Sequence, residues 1–541
     1  MGDDTRTRRD VLRMAAIGTM GVALGAAGGA FVTDRQHEVR TTAAEVPVYR
    51  RERARLVAQD IVGVDDDGRN LRARYQKLLT GAGPRHQPNA GEVVIVGAGV
   101  SGLAAAWIMA RAGHRVRVLE GSDRVGGRIR TLREPFARTG GHGEAGAMRI
   151  PSSHTLVTGV LDKLGVATRP FLMHHAERRV TVGHVSVTRT EYDKDPEPIT
   201  DLFGIEPQRG RAILDDALTR TGVGPGAGVD EWADYLARYD EMSLREWLLG
   251  QGHSEAHLDY VGSTEGLTAR MGLSMTHNLM TAYNLAPNTE LVEIVGGTEG
   301  LTTALADAAR TAGADIRTGA EVTAIDGRGH RMRVTYGPDA ATVDADRVLV
   351  TAPFTLLRHM SFEPALSYGK RRAIAELHYD AATKTFLEFS ERWWPGHGGT
   401  DVTDAPPRLT VYPSHPEGAG GVIIASYTWS DDARAWDALQ PAERAAECLD
   451  HLAEVHGPRV RETWTGGFAS HSWASDRWAD GEAAVYLPGQ AVEIGPDTRT
   501  TEMDGRLAFA GDGTSTRGRA WIEGALESAA RACRDLGVRA I

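Results

Sequence analysis

Val93-Val94-Ile95-Val96-Gly97-Ala98-Gly99-Val100-Ser101-Gly102, with its sequel Val116-Arg117-Val118-Leu119-Glu120, is the stretch that decides the fold. Four apolar residues run into G-x-G-x-x-G, an Ala-rich segment follows, and a second apolar run ends in an acid. That order is a strand–turn–helix–strand unit of the dinucleotide-binding kind. Gly97, Gly99 and Gly102 stand where a diphosphate must approach the backbone. The helix start offers it unpaired N–H groups and the positive end of a dipole. Glu120 stands where a carboxylate accepts hydrogen bonds from a ribose 2′-hydroxyl.

Directly past the acid comes Gly121-Ser122-Asp123-Arg124-Val125-Gly126-Gly127-Arg128-Ile129-Arg130-Thr131. The second glycine pair brings backbone close to a ligand again, and Arg128 adds a cation near a diphosphate or flavin. A nicotinamide-binding domain has no need of this second loop; an arginine-rich surface turn is the alternative. The run E-x-x-x-R-x-G-G-R from Glu120 to Arg128 resembles the amine oxidase family of flavoproteins, which includes monoamine oxidases and L-amino acid oxidases. The resemblance implies FAD as cofactor and an α/β, two-domain FAD-dependent amine oxidase fold. In that fold a Rossmann-like FAD domain assembled from discontinuous segments accompanies a sheet-and-helix substrate domain.

At 541 residues the chain can bury a large core and divide into two or three domains. Its net charge of −11 argues against nucleic acid and gives no long-range attraction for an acidic substrate, which needs a local cationic pocket. Thr7-Arg8-Arg9-Asp10-Val11-Leu12-Arg13, followed by a weakly apolar stretch to Ala30, has the layout of a twin-arginine export signal over residues 1–30. A basic tail is the alternative. The expected partners are therefore the twin-arginine export machinery, a small amino acid and O2, with a secreted homodimer as the assembly. The apolar stretch is short and Gly-rich, so no stable membrane anchor is expected. Cys448 and Cys533 lie in no metal-ligand spacing, read as two ordinary buried thiols, and leave no metal site expected.

Residues 31–91 read as a helical extension and linker. Apolar strands at Ala320–Ile325, Arg347–Pro353 and Leu507–Ala510, with helices from Leu301 and Ile522, give residues 291–353 and 471–541 nucleotide-domain character alongside 92–150. Residues 151–290 read as mostly helical and substrate-binding. Residues 354–470 read as a substrate-binding sheet domain, with strands such as Thr385–Phe389 and Gly421–Tyr427.

Further motifs extend the resemblance over roughly residues 92–535. Gly146-Ala147-Met148-Arg149-Ile150-Pro151 is similar to a G-A-M-R-[IL]-P segment of L-amino acid oxidases, whose arginine clamps the substrate α-carboxylate. A guanidinium fork suits that task because it binds a carboxylate bidentately. Lys384 enters an apolar strand, where an ammonium is costly. At the matching place the family's lysine holds a water against the flavin, and Trp393-Trp394 resembles an aromatic pair near it. Phe509-Ala510-Gly511-Asp512 and Ala520-Trp521-Ile522-Glu523-Gly524-Ala525 are similar to F-A-G-E … W-I-x-G-A, with Asp512 in place of the commoner Glu. The covalent-attachment cysteine of monoamine oxidases is absent there, so FAD is expected to be non-covalent. The resemblance also assigns Ser101, Ala147, Met148, Arg149 and Val322 to the cofactor and Trp521 to the substrate face.

Arg270 and His277 are seven apart and share one face if a single helix runs through both. L-glutamate oxidases of the family carry the same R-x6-H spacing, their arginine meeting the distal carboxylate, whereas a structural Arg/His pair is the alternative. Tyr412, in Val411-Tyr412-Pro413, stands where relatives offer a tyrosine partner to the clamp arginine. The expected catalytic residues are Lys384, Arg149 and His277, and the expected substrate-binding ones are Arg149, Arg270, His277, Tyr412 and Trp521. The implied reaction is oxidative deamination of an L-amino acid by O2 to a 2-oxo acid, ammonia and hydrogen peroxide, with L-glutamate favoured. A broader or non-acidic L-amino acid oxidase, an amine oxidase, an amino-acid monooxygenase and a flavin-binding module without turnover are the rivals.

Overall fold

The computed structural model describes residues 47–541 apart from 137, 286–288 and 416–417, so the export signal lies outside the described residues. A five-stranded parallel sheet runs in the order Asp315–Arg317, Arg115–Leu119, Glu92–Val96, Arg347–Val350, Leu507–Phe509. Its strands come from three distant stretches of chain, and Val93–Val96 and Val348–Val350 at its centre are buried on both faces, against helices on one side and mainly against a four-stranded sheet on the other. The helix Val100–Arg111 is almost entirely buried, its alanines Ala104, Ala105 and Ala106 allowing two further helices, Glu299–Thr311 and Ile522–Asp535, to pack closely.

The second large sheet has seven strands: Trp464–Ser472, Ala382–Phe389, Gly421–Trp429, Leu409–Val411, Thr400–Thr403, Arg179–Val182, Val185–Thr188. The helix Pro441–His456 packs against one face. Other side chains of the central strands, Lys384, Tyr427 and Trp429 among them, line a cavity that also meets the glycine loops. The two edge strands at residues 179–188 depart from the helical reading of 151–290. Valines alternate on either side of Gly183, which turns the hairpin at φ +57°.

Two more departures concern the nucleotide half. Leu291–Ile294 pairs with Ile150–Pro151 and Thr168–Pro170 in a small antiparallel sheet instead of joining the parallel one. The three-residue strand Asp315–Arg317 supplies the parallel sheet's edge, too short and too polar to stand out in sequence. A four-stranded sheet contains Val322–Asp326. The N-terminal helices Val48–Val62 and Leu71–Leu79 are tied into the body. Arg53 pairs with Asp497 at 2.6 Å, and Asp60 accepts from the Thr516 N–H at 2.8 Å. Cys448 and Cys533 are free thiols buried in separate cores. Among the described residues no helix is long and apolar enough to cross a membrane.

Candidate active site

A cavity of about 760 Å³ opens between the ends of the parallel strands and the seven-stranded sheet. Its glycine end is built as the sequence pattern demands. Gly97 has φ +102°, a conformation open to glycine at little cost. Gly99 caps the helix Val100–Arg111 without a side chain, and nothing lies within 4 Å of where its Cβ would stand. That empty space and the uncapped first turn form a cradle for a diphosphate. The second glycine loop crosses the first through a bridge from Gly99 to Gly126, with Gly127 beside it.

Glu120 lines the same end, its carboxylate accepting from Ala98 N at 2.7 Å and Ser122 N at 2.9 Å. Arg128 is ion-paired with Asp512, which supplies the shorter acid with a partner. Val322, Gly511, Ile522, Ala147 and Met148 also line the cavity. Ser101 lines it too, with its hydroxyl tied to Ala525 O at 2.7 Å. Gly102 does not line the cavity. A Cβ there would stand 1.9 Å from Gly97 O, so this glycine serves close helix–strand packing. The cavity's size and this cradle fit a flavin dinucleotide.

At the other end stands Arg149, between the short strands Gly143–Glu144 and Ile150–Pro151. Among the described residues no hydrogen bond or ion pair reaches its guanidinium, and its Nε is sealed from solvent. Burial depresses its pKa, with Arg270 adding to the effect and Tyr427 and Glu482 opposing it. Arg149 is half-buried, and a cation so placed without a counter-ion is costly, a cost that an anionic ligand would offset.

Lys384 lies in Ala382–Phe389 directly opposite Tyr427, its Nζ 4.5 Å from the centre of that ring. The ammonium donates to Glu144 O at 2.9 Å and Gly146 O at 2.7 Å. Burial pushes its pKa down to about 7, reinforced by Arg149 and opposed by Glu482 and Glu144. Lys384 therefore exchanges a proton near neutral pH.

Arg270 and His277 both line the cavity but do not share a helix. Arg270 ends the short 3-10 turn Thr268–Arg270. The helix Met275–Asn284 starts afresh at Ser274, whose hydroxyl accepts from His277 N at 3.0 Å. Arg270 is paired with Asp380 at 2.9 Å and Glu482 at 3.3 Å and stacks 4.5 Å over Trp429. Burial opposes its charge, but these two acids hold its pKa above the ordinary value. His277 is pushed down to about 3 by burial and by Arg270, Arg519 and His378. Its ring is thus a neutral hydrogen-bonding group and a weak proton acceptor.

Tyr412 is the correction among the substrate residues. It is sealed away from the cavity, donating to Asp401 at 2.7 Å and lying beneath Arg178 at 3.9 Å. Trp393 and Trp394 pack with it there instead of near the glycine loops. The tyrosine that faces the cavity is Tyr427, whose hydroxyl donates to Glu482 at 2.9 Å. Trp521 lines the wall, edge-on to His154 at 5.2 Å, after Ala520 at φ +65°. Tyr427, Glu482, Asp380 and His154 escape a motif reading because long-range packing brings them together.

The family model for flavin containing amine oxidoreductases matches residues 100–537. An L-glutamate oxidase precursor of Streptomyces viridosporus is 34% identical over 90% of this chain and 91% of its own length. The L-glutamate oxidase precursor of Streptomyces diastatochromogenes is 31% identical over 87% and 96%. An L-amino-acid oxidase of Siganus canaliculatus is 32% identical over 85% and 88%. Among solved structures, cyclohexylamine oxidase from Brevibacterium oxydans superposes with a TM-score of 0.66 over 83% of this chain and 98% of its own, at 20% identity, a likeness of fold. With glycine loops, cavity and these relatives in agreement, the chain belongs to the flavin containing amine oxidoreductase family.

Proposed function

We propose that the protein is an exported FAD-dependent L-amino acid oxidase whose favoured substrate is L-glutamate. The observation that carries the reading is Arg149, a half-buried guanidinium with its Nε sealed and no partner among the described residues, in the cavity that holds the glycine cradle. An α-carboxylate is the ligand that satisfies its fork. Bound FAD supplies the two-electron acceptor for the substrate Cα–H, and O2 regenerates it with release of hydrogen peroxide.

The chain's residues orient and enclose. Arg149 anchors the carboxylate and so fixes the substrate's attitude. Tyr427, Trp429 and Trp521 wall the cavity with aromatic surface. Lys384 holds or releases a proton at Nζ near neutral pH, and His277 offers a neutral ring. The imino acid product hydrolyses to the 2-oxo acid and ammonia. Export by the twin-arginine route rests on Arg8-Arg9 and the apolar stretch after them, and the Streptomyces relatives are named as precursors.

Preference for glutamate rests on Arg270 and on the likeness to L-glutamate oxidases. A second reading, an oxidase of neutral side chains, is favoured by the pairing of Arg270 with Asp380 and Glu482, which already balances its charge. Screening the twenty L-amino acids for peroxide together with the 2-oxo acid separates these. An amide and CO2 instead of the oxo acid point to a monooxygenase. Turnover of carboxylate-free amines alone points to an amine oxidase. A flavin that no amino acid bleaches leaves only a binding module.

A further inference from the structure

Glu523, two residues beyond Trp521, is buried, and its carboxylate is fully engaged. One oxygen accepts from Arg72 Nη2 at 2.7 Å and Leu156 N at 3.3 Å; the other accepts from Val157 N at 3.0 Å. Leu156 and Val157 lie in the first turn of the helix Thr155–Leu164, where N–H groups lack intrahelical partners. That helix's own N-cap residue is His154, whose side chain does no capping. The His154 ring lines the substrate cavity, its Nε2 2.6 Å from Asn284 Oδ1 and its edge against Trp521. Asn284 uses its amide nitrogen on Met280 O and Arg517 O, so its oxygen accepts. His154 Nε2 therefore carries the hydrogen, and Nδ1 keeps its lone pair.

We propose that Arg72 and Glu523 are positioning residues: by capping the helix Thr155–Leu164 from outside, they release His154 to stand against Trp521 on the wall that meets the substrate side chain. Arg72 belongs to the helix Leu71–Leu79, 451 positions from Glu523 in the chain, and it also reaches Thr155 Oγ1 at 3.4 Å. It forms the ion pair with Glu523, their side chains being 20% and 3% exposed, and so holds the acid against the helix start. Ser or Asp at the cap would satisfy the same helix start locally. Borrowing the acid from the chain that carries Trp521 instead links the two walls mechanically. The inference rests on the amino-acid oxidase reading of this cavity.

The test uses the full FAD-loaded enzyme with Arg72→Met, Arg72→Lys and Glu523→Gln. KM and kcat per bound FAD are measured with L-glutamate, or with the L-amino acid turned over fastest. Acetate, as competitive inhibitor, probes the Arg149 clamp alone, and Tm is recorded. Arg72→Met is expected to raise KM about fivefold or more while kcat and acetate inhibition stay within about twofold. Arg72→Lys should recover much of the loss. Glu523→Gln, which keeps an acceptor oxygen, should fall between. Lowered Tm with unchanged KM, or equal weakening of acetate and substrate, overturns the proposal. If Arg72→Met does not fold, unchanged KM in the other two variants overturns it equally. A wild-type enzyme that oxidises no L-amino acid defeats the parent reading, and this one with it.

Discussion

Arg270 grips Asp380 through two nitrogens, Nε at 3.1 Å and Nη2 at 2.9 Å from the same carboxylate oxygen. Asp380 is fully buried, with Ser430 Oγ donating to its other oxygen at 2.7 Å. Arg270 therefore answers to two demands, a structural acid behind it and the cavity in front. Arg270→Ala should lower kcat/KM for L-glutamate at least about tenfold while sparing neutral amino acids, since a second carboxylate then finds no cation. The same change strands Asp380, and loss of one partner of a buried pair costs about 3–5 kcal/mol. A marked fall in Tm should accompany the specificity change. Equal losses for acidic and neutral substrates would make Arg270 purely structural.

Arg149 is under the opposite stress, a half-buried cation with no partner among the described residues. Arg149→Met should abolish most turnover of every amino acid, the lost pair being worth about 2–5 kcal/mol in kcat/KM. Arg149→Lys should recover little, because a point charge does not copy the fork. In the absence of substrate, however, Arg149→Met should raise Tm, since it removes an uncompensated charge. Thermal unfolding of the substrate-free holoenzyme checks this. A lower Tm in the methionine variant would mean that the guanidinium has a structural partner.

The strands Glu92–Val96 and Arg115–Leu119 and the glycine loop between them were legible because their signal is local: apolar runs, turn glycines and a terminal acid within about thirty residues. The site residues that escaped depend on register. Tyr427 lies on a strand that the sequence suggests, yet only its pairing with Lys384 turns it toward the cavity. Tyr412 has the right chemistry beside a proline, but Asp401 and His456 offer it buried partners elsewhere. The seven-residue spacing of Arg270 and His277 mimics one helix face, while Ser274 is an N-cap that starts a new helix between them. Arg270's acidic neighbours were out of reach for the same reason, lying 110 and 212 positions away in the chain.

Neither thiol lines the cavity, since Cys448 and Cys533 sit in apolar cores where burial raises their pKa values. FAD should accordingly leave the protein on acid precipitation, giving a yellow supernatant and a colourless pellet. Flavin retained in the denatured pellet would require an attachment residue that the cavity wall does not provide as cysteine.

Lys384 should govern the pH dependence of reoxidation. Its pKa in the folded protein, about 7, lies below the ordinary 10.5, so the ammonium is present below pH 7 and lost as pH rises through it. A cation favours the charge that develops as dioxygen is reduced. Stopped-flow mixing of anaerobically reduced enzyme with O2 should therefore show a rate that falls with rising pH around neutrality. Lys384→Met should be slow and flat across the same range, with anaerobic reduction by substrate largely spared. Linkage gives a second readout of opposite sign. Between pH 7 and 10.5 the unfolded chain holds this proton and the folded one does not, so Lys384 makes stability rise with pH there. The methionine variant should lose that slope. A wild-type reoxidation rate independent of pH, or unchanged in the variant, would remove Lys384 from the oxidative half-reaction and leave it as a strand residue hydrogen-bonded to Glu144 and Gly146.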